Sequence, residues 1–420
     1  MKRLKVLISA YACRPGEGSE PGVGWNVVRE LSEYHDIWVL TRSDNRMSIE
    51  SELTRHPIPG LNFIYCEPPT PIQKLNSNQK LVHLHYYSWQ IAAYLVARNL
   101  HREVNFNIVH HVTYVRYSSP SFLSLLPVPF IWGTVGGGES APRAFWADFS
   151  WRAKMYESIR SLAHRIGELD PFTRLTAQRS VLVRATTAET ADRLRQMGAR
   201  EIEIFPESGL SAAEIEHLAQ FPLHDRPNIR FISMARLLHW KGLHLGIRAF
   251  ARANIPSSEY WILGDGIEKQ RLQDLAARLG ISDRVKFWGR LPRQDTLEQL
   301  AESDVLVHPS LHDSGGWVCL EAMAAGRPPI CLDLGGPAIQ VTEATGLKIY
   351  ATTPNEAIAG LAAAMTQLAQ NRELLASMSQ SGRKRVKEMY SWQIKGQLLA
   401  QLYTKLDRSG QIENSTQNLI

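Results

Sequence analysis

Ser303-Asp304-Val305-Leu306-Val307-His308-Pro309-Ser310, followed by His312-Asp313-Ser314-Gly315-Gly316-Trp317-Val318-Cys319-Leu320-Glu321-Ala322-Met323-Ala324-Ala325-Gly326-Arg327-Pro328, decides the fold of this chain. Val305 to His308 is a short run that suits a strand buried on both faces. A loop with paired glycines then feeds a helix over 318–325, and Pro329 to Leu332 reads as the next strand. Strand, loop, helix and strand in succession is the grammar of a parallel sheet. Backbone N–H groups at a helix start, together with the helix dipole, favour an anion. Asp313 and Glu321 add carboxylates able to accept from vicinal hydroxyls on a sugar or ribose.

Upstream the grammar repeats. Strands are expected at Ile229 to Met234, Tyr260 to Leu263 and Val285 to Phe287, with helices over 242–252, 267–279 and 296–302. The first strand runs into Met234-Ala235-Arg236-Leu237-Leu238-His239-Trp240-Lys241-Gly242. Arg236 and Lys241 thus share a loop at a strand's C-terminal edge, where doubly wound sheets bind ligands. Two fixed cations there can neutralise a diphosphate as it departs, arginine as a planar fork and lysine as a point charge. A loop with one arginine and one lysine is by itself a common surface feature. Here it is joined by a Gly264-Asp265-Gly266 turn and by Val285-Lys286-Phe287-Trp288-Gly289.

The first half has the same alternation, with strands at Val6 to Ala10, Ile37 to Thr41, Leu61 to Tyr65, Ile108 to Val112 and Phe130 to Trp132, and helices over 24–34 and 78–102. Gly16-Glu17-Gly18-Ser19-Glu20-Pro21-Gly22-Val23-Gly24 follows the first strand. Such a loop can bring amides to a phosphate or serve only as a connector. It lacks the GxGxxG register and the closing acidic residue of a dinucleotide site, which argues against a dehydrogenase. His110 and His111 end a strand, and Gly133-Thr134-Val135-Gly136-Gly137-Gly138-Glu139 follows the next.

At 420 residues the chain is long enough for two or three domains. With 44% hydrophobic and 21% charged residues its composition is globular. A net charge of +6 suits anionic partners without choosing among them. Cys13, Cys66, Cys319 and Cys331 form no CxxC pair and read as free, half-buried thiols of a reducing cytosol. The basic start before Val6 is followed by too short an apolar run for a signal segment, and no window reads as a membrane span. Pro206, Gly209, Pro222 and Pro227 mark the boundary between halves. Residues 143–180 mix Phe145, Trp146, Phe149 and Trp151 with Arg143, Arg152, Lys154, Arg160 and Arg165. That composition fits either a solvated helix with an aromatic core face or one lying on an anionic membrane.

Taken in order and spacing, residues 228 to 345 resemble glycosyltransferase family 4, the retaining group with the GT-B fold. The resemblance rests on the Arg-x4-Lys-Gly loop, the Gly-Asp-Gly turn, the Val-x-Phe-x-Gly strand, Ser303 to Ser310, and the loop-helix from Asp313 through Glu321 to Pro328. It implies an α/β protein of two Rossmann-like domains with parallel sheets facing across a cleft. The expected domains are an acceptor domain, 1–205, and a nucleotide-sugar donor domain, 206–388. A helix over 389–406 would cross back to the first, and the polar tail 407–420 reads as disordered.

The resemblance also implies roles. Arg236 and Lys241 would hold the donor diphosphate, with Asp313 as the third catalytic residue, facing the transferred sugar. Glu321 would bind the ribose; Gly289, Arg290 and Leu291 would lie near the base. Gly315, Gly316, Trp317 and Val318 would complete the donor side, and Gly22 and Gly24 would close on the diphosphate from the first domain. The family usually has glutamate where this chain has Asp313. Many relatives carry Thr-x-His where this chain has Gly-Thr-Val-Gly, so that histidine cannot be transferred; His111 and Glu139 are the candidates on the acceptor side. The implied reaction moves a hexosyl group, with retention, from a nucleotide sugar to a saccharide or lipid-linked hydroxyl. It uses no metal or other cofactor, because the cations stand in for the ion. Polysaccharide or glycolipid synthesis in the cytoplasm, with peripheral contact to an anionic inner membrane face and no nucleic acid, is the setting this suggests. The rival readings are a GT-B sugar phosphorylase, which would carry pyridoxal, and an impaired protein that only binds nucleotide sugars.

Overall fold

Apolar runs such as Val6-Leu7-Ile8, all fully buried, form strands covered on both faces, and every strand pair here is parallel. The structure is a computed structural model and describes residues 2–69, 82–224, 226 and 228–417. Pro227, residues 78–81 of the expected long helix, and residues 418–420 of the expected tail lie outside the described residues.

The chain divides into two units. The first comprises residues 1–138, 161–207 and 392–420. Its sheet contains β1 (Lys5–Ala10), β2 (Asp36–Thr41), β3 (Leu61–Tyr65), β4 (Ile108–Thr113), β5 (Phe130–Val135), β6 (Leu182–Ala185) and β7 (Ile202–Ile204), in the order β3-β2-β1-β4-β5-β6-β7. The second unit comprises residues 139–160 and 208–391. Its sheet contains β8 (Arg230–Met234), β9 (Glu259–Leu263), β10 (Val285–Gly289), β11 (Val305–His308), β12 (Pro329–Leu332) and β13 (Leu347–Ile349), in the order β10-β9-β8-β11-β12-β13. In each sheet the strand order reverses once, between β1 and β4 and between β8 and β11, and crevices for ligands form beyond the strand ends at such points.

Two boundaries differ from the sequence reading. Residues 139–160, expected in the first domain, pack with the second unit. Phe145, Phe149 and Ala153 are buried in its core beside Leu243, Phe250 and Leu272, and burying a phenylalanine contributes roughly 1.5–3 kcal/mol. The helix Trp392–Gln417, expected over 389–406, is part of the first unit. Gly396 lies so close to the helix Ser19–Ser32 that a Cβ there would meet Glu30 Cβ at 2.4 Å. His35 Nε2 lies 3.3 Å from the Ala400 carbonyl, and Lys395 Nζ donates to the carbonyls of Pro206 and Glu207 at 2.6 and 3.0 Å. Finally, that helix does not stop at Leu406. With no proline to end it, it continues to Gln417, and Asp407 accepts from Asn107 at 3.1 Å.

Candidate active site

The loops after β8 and β11 leave the sheet at its reversal point, and both hold the residues singled out from sequence. Glycines set their separation. Gly242 has φ +65°, and a Cβ there would sit 1.9 Å from the Pro309 carbonyl. Gly264 has φ +128° and lies as close to the Ala235 carbonyl. These are left-handed or otherwise glycine-only conformations at points of backbone contact. Leu311 N–H donates to the Trp240 carbonyl at 2.8 Å, and Leu237 N–H to the Asp265 carbonyl at 2.9 Å. The cation loop is therefore pinned on two sides.

Lys241 lands beside Asp313. Its Nζ is 2.5 Å from Asp313 Oδ2, and both side chains are largely buried. His308 Nε2 lies 3.2 Å from the same oxygen, and Gly316 N–H donates to Oδ1 at 3.2 Å. Burial pushes the Asp313 carboxyl up, but the Lys241 ammonium and the His308 bond outweigh it and hold it well below the usual carboxylate range. Burial keeps His308 below its ordinary value, so it meets Asp313 as a neutral donor. Arg236, by contrast, is exposed, and its guanidinium makes no ion pair or hydrogen bond among the described residues. Summed over Arg236, Lys241 and Asp313, the formal charge is one positive.

Glu321, on the helix Trp317–Ala324, is buried, and its carboxylate is 2.6 Å from Arg293 Nη1. Burial raises its pKa and Arg293 partly offsets that. Gly316, the residue before this helix, has φ +54°. The Gly315 carbonyl accepts from Ser208 Oγ at 2.7 Å and from the Gln340 amide. Leu291, Trp317 and Val318 pack together on one hydrophobic cluster, while Gly289 adopts φ +72° and Arg290 is exposed.

The remaining candidates are distributed differently. Glu139, expected on the acceptor side, is in the second unit and accepts from Ser314 Oγ at 2.6 Å, one residue from Asp313. Gly22 and Gly24 are not in a loop. They lie within the helix Ser19–Ser32, where Cβ atoms would meet the carbonyls of Glu17 and Ala12 at 2.1 and 2.3 Å. Close backbone packing accounts for glycine there without a ligand. His111 is fully buried in β4, 3.3 Å from Tyr86 Oη, and burial lowers its pKa to about 4. His110 is equally enclosed, with Nδ1 2.6 Å from Tyr403 Oη.

Sequence reasoning missed Arg293, His308 and a carboxylate beneath the loops. Glu157, 1% exposed, lies 2.9 Å from His239 Nε2 and 3.4 Å from His312 Nε2. Glu157 shares its helix face with Ala153, Arg160, Ser161 and His164, so no break in an apolar pattern marks it in the sequence.

Residues 215–385 match the family model of the glycosyl transferases group 1. The lipopolysaccharide core biosynthesis glycosyltransferase LpsE of Rhizobium meliloti is 42% identical over 106 residues, 25% of this chain and 30% of that protein. The GDP-mannose-dependent monoacylated alpha-(1-6)-phosphatidylinositol monomannoside mannosyltransferase of Corynebacterium glutamicum is 32% identical over 177 residues, 40% of this chain and 45% of that protein. The chain thus matches less than half the length of either relative. Anabaena HepE, solved in complex with UDP and glucose, matches with a TM-score of 0.59 at 18% identity, covering 96% of this chain and 100% of that one. The two parallel sheets and these matches define a GT-B protein. Residues 215–385, less than half of the chain, are thus similar to the group 1 glycosyltransferases.

Proposed function

We propose that this chain is a retaining hexosyltransferase that takes its donor, a nucleoside diphosphate sugar, in the second unit. The observation that carries the reading is the Lys241–Asp313 pair at the β8/β11 reversal, with unpaired Arg236 on the same loop and Glu321 one helix away. Arg236 and Lys241 take the diphosphate, whose negative charge grows as it leaves. Glu321 accepts from the ribose and Asp313 from the sugar. The acceptor hydroxyl attacks the anomeric carbon on the face from which the diphosphate departs. The new C–O bond forms as the bond to the phosphate oxygen breaks, and that oxygen takes the acceptor's proton. Neither a protein nucleophile nor a metal is needed in this scheme. The HepE complex with UDP and glucose and the GDP-mannose dependence of the Corynebacterium relative support a donor of this class.

For the acceptor we propose a lipid-linked or polysaccharide-precursor hydroxyl, met at an anionic membrane surface on the cytoplasmic side. Among the described residues no helix is long and apolar enough to cross a membrane. The helix Trp151–Leu169, however, exposes Trp151, Met155, Ile159, Leu162, Ile166 and Leu169 at spacings of three and four, and these fall on one face. Exposed Arg152, Lys154 and Arg165 accompany them. Phe145 and Phe149, from the same stretch, are core residues and take no part in that face. Apolar insertion with basic flanks suits anionic lipid.

The deciding experiment incubates the full chain with labelled UDP-glucose, UDP-galactose and GDP-mannose, with and without lipid extract. Donor-dependent labelling of an acceptor, with the anomeric configuration kept by NMR, is the expected result. Binding of nucleotide sugars without hydrolysis or transfer above background would leave only a binding protein, and no binding at all would overturn the reading.

A further inference from the structure

Glu157 is a carboxylate placed where an apolar side chain would cost less. Burying a charge is costly unless it is paired and hydrogen-bonded, and this one has three partners. Its Oε1 meets His239 Nε2 at 2.9 Å and His312 Nε2 at 3.4 Å, and Arg160 Nη1 lies 3.6 Å from Oε2. Burial pushes its carboxyl up, yet the two histidine bonds and Arg160 bring it down to about 2.

The two histidines are not on neighbouring turns of one element. His239 opens the short turn His239–Lys241, two residues before Lys241. His312 directly precedes Asp313 in the loop after β11. The indole of Trp240, between His239 and Lys241, stacks on both Tyr156 (centroids 5.3 Å apart, rings at 12°) and His312 (5.3 Å, 16°). One carboxylate oxygen therefore joins the backbone stretches that carry the cation and its counter-ion. The segment bearing it is anchored independently by Phe149 and Ala153 in the core and by Arg160 donating to the Glu139 carbonyl at 2.6 Å.

We propose that Glu157 is a positioning residue for transfer: through His239 and His312 it sets the spacing of Lys241 and Asp313, and it touches no substrate itself. This rests on the hexosyltransferase reading above. Misplacing a catalytic group by about 1 Å can cost on the order of 10²-fold in rate. Because the diphosphate's charge is largest as it leaves, the loss falls on kcat more than on donor KM.

The test uses the full chain and the variants Glu157→Gln, Glu157→Asp, Lys241→Ala and the double variant Glu157→Gln/Lys241→Ala. Folding is followed by thermal melts and turnover with the best nucleotide sugar. The expected result is a kcat roughly 10–100-fold lower in Glu157→Gln with KM nearly unchanged. In the Lys241→Ala background the same change should cost less than about threefold, because the residue it acts through is gone. Equal losses in the two backgrounds would mean general structural damage and would overturn the proposal, as would wild-type kcat in folded Glu157→Gln. If Glu157→Gln does not fold, Glu157→Asp keeps the charge at shorter reach; an intermediate kcat is expected and a wild-type kcat refutes the proposal. A readout without donor separates this from failure of the transferase reading. By ¹³C-carboxyl NMR, Asp313, faced by Lys241, His308 and the Gly316 amide, should titrate at higher pH once Glu157 is neutralised. An unchanged Asp313 titration rejects the positioning role even if the chain transfers no sugar.

Discussion

Lys241 Nζ and Asp313 Oδ2 are 2.5 Å apart across 72 residues of sequence, and the neutral His308 meets the same Asp313 oxygen at 3.2 Å. Lys241, expected from the sequence as one of two fixed cations for the diphosphate, is thus half of a neutral pair before any donor arrives. The exposed Arg236 carries the unbalanced charge, and a donor diphosphate must share Lys241 with Asp313.

That pairing separates stability from chemistry. Lys241→Ala leaves a largely buried carboxylate without its ammonium, and removing one partner of a buried pair costs about 3–5 kcal/mol at the upper end. The melting temperature should drop, and turnover should fall roughly 10²–10³-fold. In Lys241→Ala/Asp313→Asn the melting temperature should recover while turnover does not. A double variant no more stable than the single would show that the pair is not what holds these loops.

Arg236→Ala should behave in the opposite way. The side chain is exposed and unpaired, so stability should stay within about 0.5 kcal/mol of wild type. Transfer should still slow by roughly 10²-fold. Near-normal turnover would remove Arg236 from the site.

Isothermal titration with a nucleoside diphosphate and with the intact nucleotide sugar distinguishes the two carboxylates. Glu321→Gln weakens a charge-assisted bond to ribose worth ~1.5–3 kcal/mol and should reduce affinity for both ligands. Asp313→Asn should spare the free diphosphate and weaken only the intact donor. Arg293→Ala should resemble Glu321→Gln, because it leaves the Glu321 carboxylate buried without its guanidinium. Equal loss of diphosphate affinity in Glu321→Gln and Asp313→Asn would mean that Asp313 does not face the sugar.

Acid should destabilise the fold earlier than carboxylates alone would. His110, His111 and His244 are buried, and burial lowers them to about 3, about 4 and about 3. An unfolded histidine binds its proton near pH ~6.5. Between that value and the folded pKa the unfolded chain holds the extra protons, so stability is full above the window and is lost as pH falls through it. The loss is up to ~1.4 kcal/mol per pH unit for each histidine. Urea midpoints measured from about pH 7.5 down to about pH 4.5 should fall, less steeply in His111→Gln. A flat profile would show that these imidazoles are not buried as neutral groups.

Vesicle sedimentation tests the apolar stripe. The chain should bind phosphatidylglycerol vesicles at low salt and release as ionic strength approaches ~1 M, where the screening length is about 3 Å. Leu162→Glu/Ile166→Glu should abolish binding without altering the melting temperature, since both side chains are exposed. Equal binding to neutral and anionic vesicles would exclude the basic flanks from any role.

Legibility in the sequence followed the range of the interactions. Strands such as Val305–His308 and Pro329–Leu332, and the helix beginning at Trp317, were readable because apolar runs and glycine punctuation are local signals. The loop carrying Arg236 and Lys241 could be placed at a sheet edge for the same reason. Of the glycine stretch, residues 16–18 are the loop that the sequence suggests, but the helix begins at Ser19 rather than near Gly24, because nothing local shows that Gly22 and Gly24 are pressed on Glu17 and Ala12.

By itself, then, the sequence determined two parallel α/β sheets, the loops that bear the chemistry, and the carboxylate and cation types on them. The tertiary structure decided which groups meet: Lys241 with Asp313, Glu321 with Arg293, Glu157 with His239 and His312. It also decided that residues 139–160 pack with the second unit rather than the first. The physical reason is that periodicity reveals that a face is buried without revealing against what, and a charge's partner is fixed only when distant loops are brought within bonding distance.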